Sequence, residues 1–222
     1  GQEYLKLAGG DYTVLENGNA VWGLVFNLGR EPFSSAEMRR ALFLDADFST
    51  MEQALPDYLE HLEAAVSPGI VLGGGESYRK LAGSPSFPEL DRDAAQAARD
   101  AALETVSPES LRTARLIVPE GEEHEKYFAY LSQIWQRDLG LYLTVETLPE
   151  AEYQSRLDSG DFECAVYRLS GDYNSPGSAL SAMEGGPLGC TAPSYSGLLT
   201  QAGEAEPEQA AQLYLQGGQM LF

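Results

Sequence analysis

An α/β domain with a sheet of about four or five strands is the fold class this sequence predicts, and three observations predict it. Apolar runs of strand length occur at Val21 to Leu28, Thr113 to Val118, Leu141 to Thr147 and Phe162 to Leu169. Stretches of helical period lie between them, several opened by capping residues. The last three runs alternate with helices in a βαβαβ order, which implies right-handed crossovers and parallel strands. A chain of 222 residues, 43% of them hydrophobic, is long enough for one large domain or two small ones and can bury a core without disulfide staples; the order of its elements reads as a single domain over residues 1 to 222.

Taken in order, a polar lead precedes Val21-Trp22-Gly23-Leu24-Val25-Phe26-Asn27-Leu28, whose nearly continuous apolar character predicts a strand covered on both faces. Ser34-Ser35-Ala36-Glu37 has capping-box spacing and predicts a helix through Met38, Ala41, Leu42 and Leu44; Ser49-Thr50-Met51-Glu52 predicts a second, short one. Residues 56 to 90 are punctuated by Pro56, Pro68, Gly73-Gly74-Gly75, Pro85 and Pro88, yet Ile70, Val71, Leu72, Tyr78 and Leu81 require burial, so the segment is a surface excursion rather than a linker. The glycine triplet lacks the Lys-Ser/Thr of a phosphate loop. Asp91 to Thr105 predicts a helix with a close-packing stripe of Ala94, Ala97, Ala98, Ala101 and Ala102.

From Thr113 the sequence reads strand, helix (Glu122 to Leu139), strand. Tyr127, Leu131, Ile134 and Trp135 share one helical face, and Gly140 stands where a left-handed C-cap belongs. Leu141, Leu143 and Val145 alternate with Tyr142, Thr144 and Glu146, as in a strand near a sheet edge. A helix at Glu150 to Leu157 leads to the strand at Phe162, and two more helices, one over Ser196 to Gln201 and one from Pro207 onward, close the chain.

Composition narrows function. A net charge of −20 with only 14 Lys and Arg argues against nucleic acid and anionic membranes as partners. Cys164 and Cys190 make no disulfide framework, a buried free thiol being expected at Cys164; His61 and His124 have no partners at metal-ligand spacing. No cofactor or metal is called for, and no apolar run reaches membrane-spanning length. Both ends read as cuts: the chain starts on Gly1-Gln2-Glu3-Tyr4 and stops on Met220-Leu221-Phe222. The nucleophile elbow, metalloprotease, Walker and dinucleotide motifs are missing, and no catalytic residue is assigned. A hydrolase using acids near Gly160 to Asp172, such as Asp158 with Asp161, and a protein-interaction module without a small-molecule cleft are the competing classes.

The stretch from Gly160 to Met183 carries the most specific chemistry. It predicts a turn, a strand, a loop of small polar residues from Ser170 to Pro176 holding one acid, and a helix opening near Ser175. An acid past the carboxyl end of a buried strand is where open α/β sheets bind ligands, and Asp172 suits a protonated amine. An Asx-turn or cap, with Asp172 bonding nearby backbone, is the equally ready structural alternative.

Val25-Phe26-Asn27, Pro32-Phe33, Met38-Arg39-Arg40-Ala41-Leu42 and Ala46-Asp47 resemble extracellular peptide-binding proteins of ABC transporters, the oligopeptide and dipeptide binder family (family 5). Ser77 to Gly83, Asp91 with Ala94-Ala95, Gln133-Ile134-Trp135, Leu139-Gly140-Leu141, Tyr153 and Leu157 to Phe162 follow the family's order, and Gly171-Asp172-Tyr173-Asn174-Ser175-Pro176 matches its Ala-Asp-Tyr-x-x-Pro loop. The resemblance implies a periplasmic-binding-protein-like (type II) lobe with a mixed, mostly parallel sheet of about five strands flanked by helices. It implies the second, C-terminal lobe of a two-lobed clamp, the first lobe lying outside this sequence, and transport rather than catalysis. It further implies Asp172 as the ligand of a peptide's α-ammonium and Arg168 to Gly171 as an edge pairing with the peptide backbone, so that Arg168, Leu169, Ser170, Gly171, Asp172, Tyr173 and Asn174 form the ligand site. The partners implied are a peptide, a membrane permease and the missing lobe, at the outer face of a cell membrane through a lipid anchor or in the periplasm. Two departures stand out: Arg168-Leu169 replaces a Gly-Trp pair common in relatives, and Phe48 replaces an Arg. Members of the family also carry oligosaccharides, opines or metal chelates, which the first departure keeps open as ligands.

Overall fold

A computed structural model describes residues 20–53, 62, 64–83, 88–120, 124–184, 190 and 192–221. The polar lead, Pro56, His61, Pro85 and the expected helix start at Glu122 lie outside the described residues, as do the side chains of His124 and Tyr127.

Four strands form one sheet in the order β1-β4-β2-β3, where β1 is Ala20–Phe26, β2 Arg115–Pro119, β3 Thr144–Leu148 and β4 Cys164–Ser170. β2 pairs in parallel with β3 and with β4, while β1 runs antiparallel to β4 from Ala20 opposite Ser170 to Phe26 opposite Cys164. The sheet is therefore mixed and mostly parallel, with four strands among the described residues rather than about five. Among the described residues β1 is its antiparallel edge, and its residues are all half-buried, with Trp22, Leu24 and Phe26 packed on one face of the sheet and Val25 on the other.

Side chains alternate across the sheet, and each face is roofed by helices. Leu116, Val118, Cys164 and Val166 turn to one face, under α1 (Ala36–Leu44), α4 (Arg92–Ala102) and α6 (His124–Leu139). Ile117 and Ala165 turn to the other, where Tyr153 and Leu157 of α7 (Glu150–Ser159) join Leu148 and Phe162. Beyond them a second core on that side gathers Ile70, Tyr78 of α3 (Tyr78–Ala82), Leu180 of α8 (Pro176–Ser181), Tyr195 of α9 (Pro193–Glu204) and Tyr214 of α10 (Pro207–Gln219). Two short helices, α2 (Phe48–Glu52) and α5 (Ser110–Thr113), complete the set.

Local chemistry sets the element ends. Ser35, not Ser34, caps α1, its Oγ accepting from the Met38 N–H at 3.4 Å. α2 starts before the expected box, because the Asp47 carboxylate accepts from the Thr50 N–H at 3.1 Å. Asp91 caps α4 through the Ala94 N–H at 2.9 Å. The buried stripe of α4 is Ala95, Ala98 and Ala102; Ala97 and Ala101 of the expected stripe face solvent. The helical turn of α5 delays β2 to Arg115, and β3 begins at Thr144 rather than Leu141. Gly140 and Gly160 close α6 and α7 in the left-handed region, at φ 67 for each, where only glycine sits without strain. The Trp135 Nε1–H donates to the Leu42 carbonyl at 3.1 Å, tying α6 to α1.

Candidate functional site

β4 carries an ion-pair network at one end and the candidate site at the other. At its start Glu163, nearly buried, accepts from Arg115 Nε at 2.8 Å, from Arg115 Nη2 at 3.0 Å and from Arg30 at 3.1 Å. Burial pushes the Glu163 carboxyl up, but these bonds outweigh it and hold the group below its ordinary value. Asp161 also sits below the usual carboxylate range, held by its hydrogen bond from Arg115 and the charges of Arg115, Arg156 and Arg30. The acids near Gly160 are thus engaged: Asp161 pairs with Arg30 at 3.3 Å and Arg115 at 3.1 Å, and Asp158 accepts from Gln154 at 3.0 Å. This is a structural clamp on the base of β4, not an acid and base facing a cleft.

At the far end the chain leaves β4 at Ser170 and turns into α8. Ser175 caps α8, its Oγ accepting from the Gly177 N–H at 3.2 Å, and Pro176 follows in the first turn. The Ser178 Oγ accepts from the Tyr173 N–H at 3.3 Å. Gly171 lies so close to α8 that a Cβ there would meet Ser178 Oγ at 2.5 Å and the Ala179 nitrogen at 2.6 Å. Only the absence of a side chain lets the loop pack this tightly on the helix.

The packing leaves an open cavity of about 260 Å³ lined by Ser170, Gly171, Asp172, Tyr173, Ser178 and Ser181, among others. Asp172 is exposed on it and makes no hydrogen bond or ion pair among the described residues. The capping alternative for Asp172 is taken by others, since Ser175 and Ser178 satisfy the loop's N–H groups. Tyr173, 69% exposed, stands beside it. Asn174 braces the loop from outside: its Oδ1 accepts from the Val71 N–H at 3.2 Å and its Nδ2 donates to the Gly69 carbonyl at 3.5 Å. Leu169 packs into the core around Leu180 and Tyr195, whereas Arg168 is exposed and donates to Ser170 Oγ at 3.2 Å.

β4 also offers backbone. β2 meets β4 only at Cys164 and Ala165, so among the described residues no strand pairs with Val166 to Ser170 on that side. The Asn27 N–H donates to the Glu163 carbonyl directly opposite at 2.9 Å. Bonded pairs alternate along an antiparallel ladder, so Ala165, Tyr167 and Leu169 turn their backbone groups to β1, and Val166, Arg168 and Ser170 turn theirs away. The Val166 carbonyl accordingly accepts from the Tyr153 hydroxyl. Among the described residues no strand pairs with the outward N–H and C=O groups of Arg168 and Ser170, and Ser170 lines the cavity.

The sequence reading missed Ser178 and Ser181. With Ser175 they recur at the three-residue spacing of one helical face, a signal legible once α8 was assigned. Among the described residues no group of three or more His, Cys, Asp or Glu is placed to hold a metal, and no helix is long and apolar enough to cross a membrane. Cys164 and Cys190 are free, and burial pushes the Cys164 thiol far up, which leaves it inert.

An α/β lobe with a solvent-open cavity and an unpartnered acid at the carboxyl end of a strand has the architecture of a ligand-binding lobe. The profile of the bacterial extracellular solute-binding proteins, family 5 (middle region), matches residues 1–187, and the chain belongs to that family. Among solved structures it is similar to the unliganded open form of the periplasmic murein tripeptide binding protein MppA, at 20% identity and a TM-score of 0.74, over 99% of this chain and 43% of that one. It is similar to Haemophilus influenzae OppA in complex with the peptide RPPGFSPFR, at 16% identity and a TM-score of 0.77, over 92% of this chain and 41% of that one. A third, the peptide-binding protein of a peptide ABC transporter, shares 20% identity at a TM-score of 0.70, over 91% of this chain and 93% of that one. The chain thus spans about two fifths of the length of the first two. Comparison with curated proteins gave no match.

Proposed function

We propose that this chain is the second, C-terminal lobe of a two-lobed solute-binding protein that captures peptides for an ABC importer. It acts at the outer face of the membrane, lipid-anchored or periplasmic. Asp172 holds the peptide's α-ammonium, and the open backbone groups of Arg168 and Ser170 pair with the peptide main chain as an added strand. Closure of the other lobe over the ligand excludes water and presents the closed form to the permease. The chemistry is binding alone, with no bond made or broken.

The observation that carries this reading is, among the described residues, an exposed carboxylate without a partner in a cavity that Ser170, at the end of an unpaired strand edge, also lines. A carboxylate in a closing cleft fixes a cation strongly, and main-chain pairing is blind to side chains. The occurrence of peptide binders among the similar structures supports the same ligand class. The test is calorimetry on the intact protein with tri- and tetrapeptides and their N-acetylated forms. Acetylation and Asp172→Asn are each expected to weaken binding by at least a hundredfold. Equal affinity for free and acetylated peptides removes Asp172 as the ammonium site.

A further inference from the structure

Arg30, Arg92, Arg115, Arg137 and Arg156 each meet a carboxylate, in a chain with 34 acids. Arg168 does not: among the described residues its side chain has one polar contact, the Ser170 Oγ at 3.2 Å, and it lies exposed two residues along the strand from Ser170, which lines the cavity. Its direction is known from the strand. Leu169 points into the core on the α8 side, so Arg168 and Ser170 point to the opposite face, and their backbone groups face the unpaired edge.

We infer that Arg168 makes the site selective for ligands with an acidic side chain at the second or third residue, an inference that rests on the reading of Asp172 as the ammonium site. A strand added along β4 sets its side chains beside those of β4 on the same face, where opposite charges in lateral pairs attract. With its ammonium at Asp172 the ligand runs back along β4 at about 3.3 Å per residue, which brings its second or third residue alongside Arg168. The hydrogen bond to Ser170 holds the guanidinium without neutralising it. Closure of the cleft then removes the water that would otherwise screen the pair.

Calorimetry on the intact protein tests this with Ala-Glu-Ala-Ala and Ala-Ala-Glu-Ala, their Gln counterparts, and the C-terminal amide of each. One Glu peptide is expected to bind about tenfold more tightly than its Gln counterpart. In Arg168→Gln that ratio is expected to fall to about one, whatever the variant's affinity for the Gln peptides. Equal affinities for Glu and Gln in the parent, or a Glu preference that survives Arg168→Gln, overturn the inference while leaving Asp172 in place. If amidation of the C-terminus, rather than Glu to Gln, produces the Arg168-dependent loss, Arg168 reads a terminal carboxylate and the side-chain assignment falls. If no peptide binds, the peptide reading and this inference fall together.

Discussion

Replacing Asp45 by Asn is expected to stabilise the protein at neutral and alkaline pH. Asp45 is fully buried at the C-terminus of α1, and among the described residues neither of its carboxylate oxygens has a hydrogen-bond partner. Burial, then the nearby negative charge of Asp138, push its pKa from 3.8 up to about 7, against the opposing charges of Arg92 and Arg137. A raised carboxyl keeps its proton in the folded chain where the unfolded chain has lost it. Stability therefore falls as pH rises from about 4 to about 7 and levels off above. At about 1.4 kcal/mol per tenfold the ceiling is near 4 kcal/mol, so a gain of about 2 to 4 kcal/mol is expected at pH 8. Asn keeps the shape, carries no charge and can donate to Asp138 as the protonated acid would. For a domain of this size the gain is a rise in Tm of roughly 5 to 15 °C. Urea unfolding from pH 4.5 to 8.5 reads it: the curves of the two proteins should lie closest at the acid end, diverge up to about pH 7 and run parallel above it. A variant no more stable at pH 8, or a difference that does not change with pH, would refute the reasoning.

Gly171→Ala should leave the fold intact but push the Asp172 loop off α8, because backbone and hydroxyl atoms occupy the Cβ position; peptide affinity is expected to fall at least tenfold, and unchanged affinity would show that the loop yields at no cost. Arg115→Met strips Glu163 of its bidentate partner while Arg30 remains, with an expected loss of about 2 to 4 kcal/mol in denaturant unfolding; because the folded Glu163 carboxyl lies below its ordinary value, the stability it contributes is present above that value and is lost as pH falls through the folded one, so the gap between parent and variant should close in acid.

Much of the sheet was legible because its signals are local. β2, α6 and β3 announce themselves by a change of hydrophobic period and by Gly140, and the loop after β4 by its run of small polar residues around one acid. What escaped depends on contacts between distant parts of the chain. α4 is so rich in alanine that two stripes are equally apolar, and the neighbouring α1 decides that Ala95, Ala98 and Ala102 face inward. Ser34 and Ser35 offer the same hydroxyl one residue apart, and the entry angle of the chain chooses the second. Asn174 reads as a ligand residue, yet its amide grips backbone 103 and 105 residues away. The trapped carboxyl of Asp45 is equally silent, since nothing local marks it as buried.

The first strand has an evolutionary consequence. β1 pairs with β4 residue for residue over its whole length, ending beside the cavity where Ala20 faces Ser170. Losing or gaining one residue within β1 would swing Trp22, Leu24 and Phe26 to the wrong side of the sheet and drag the strand that carries the site with them. The exposed turn of Gly73, Gly74 and Gly75 is closed by a single bridge, Val71 opposite Ser77, so an insertion at its tip shifts no long ladder. Variation in length among related lobes should therefore collect at that turn and spare β1, where substitutions are tolerated and deletions are not.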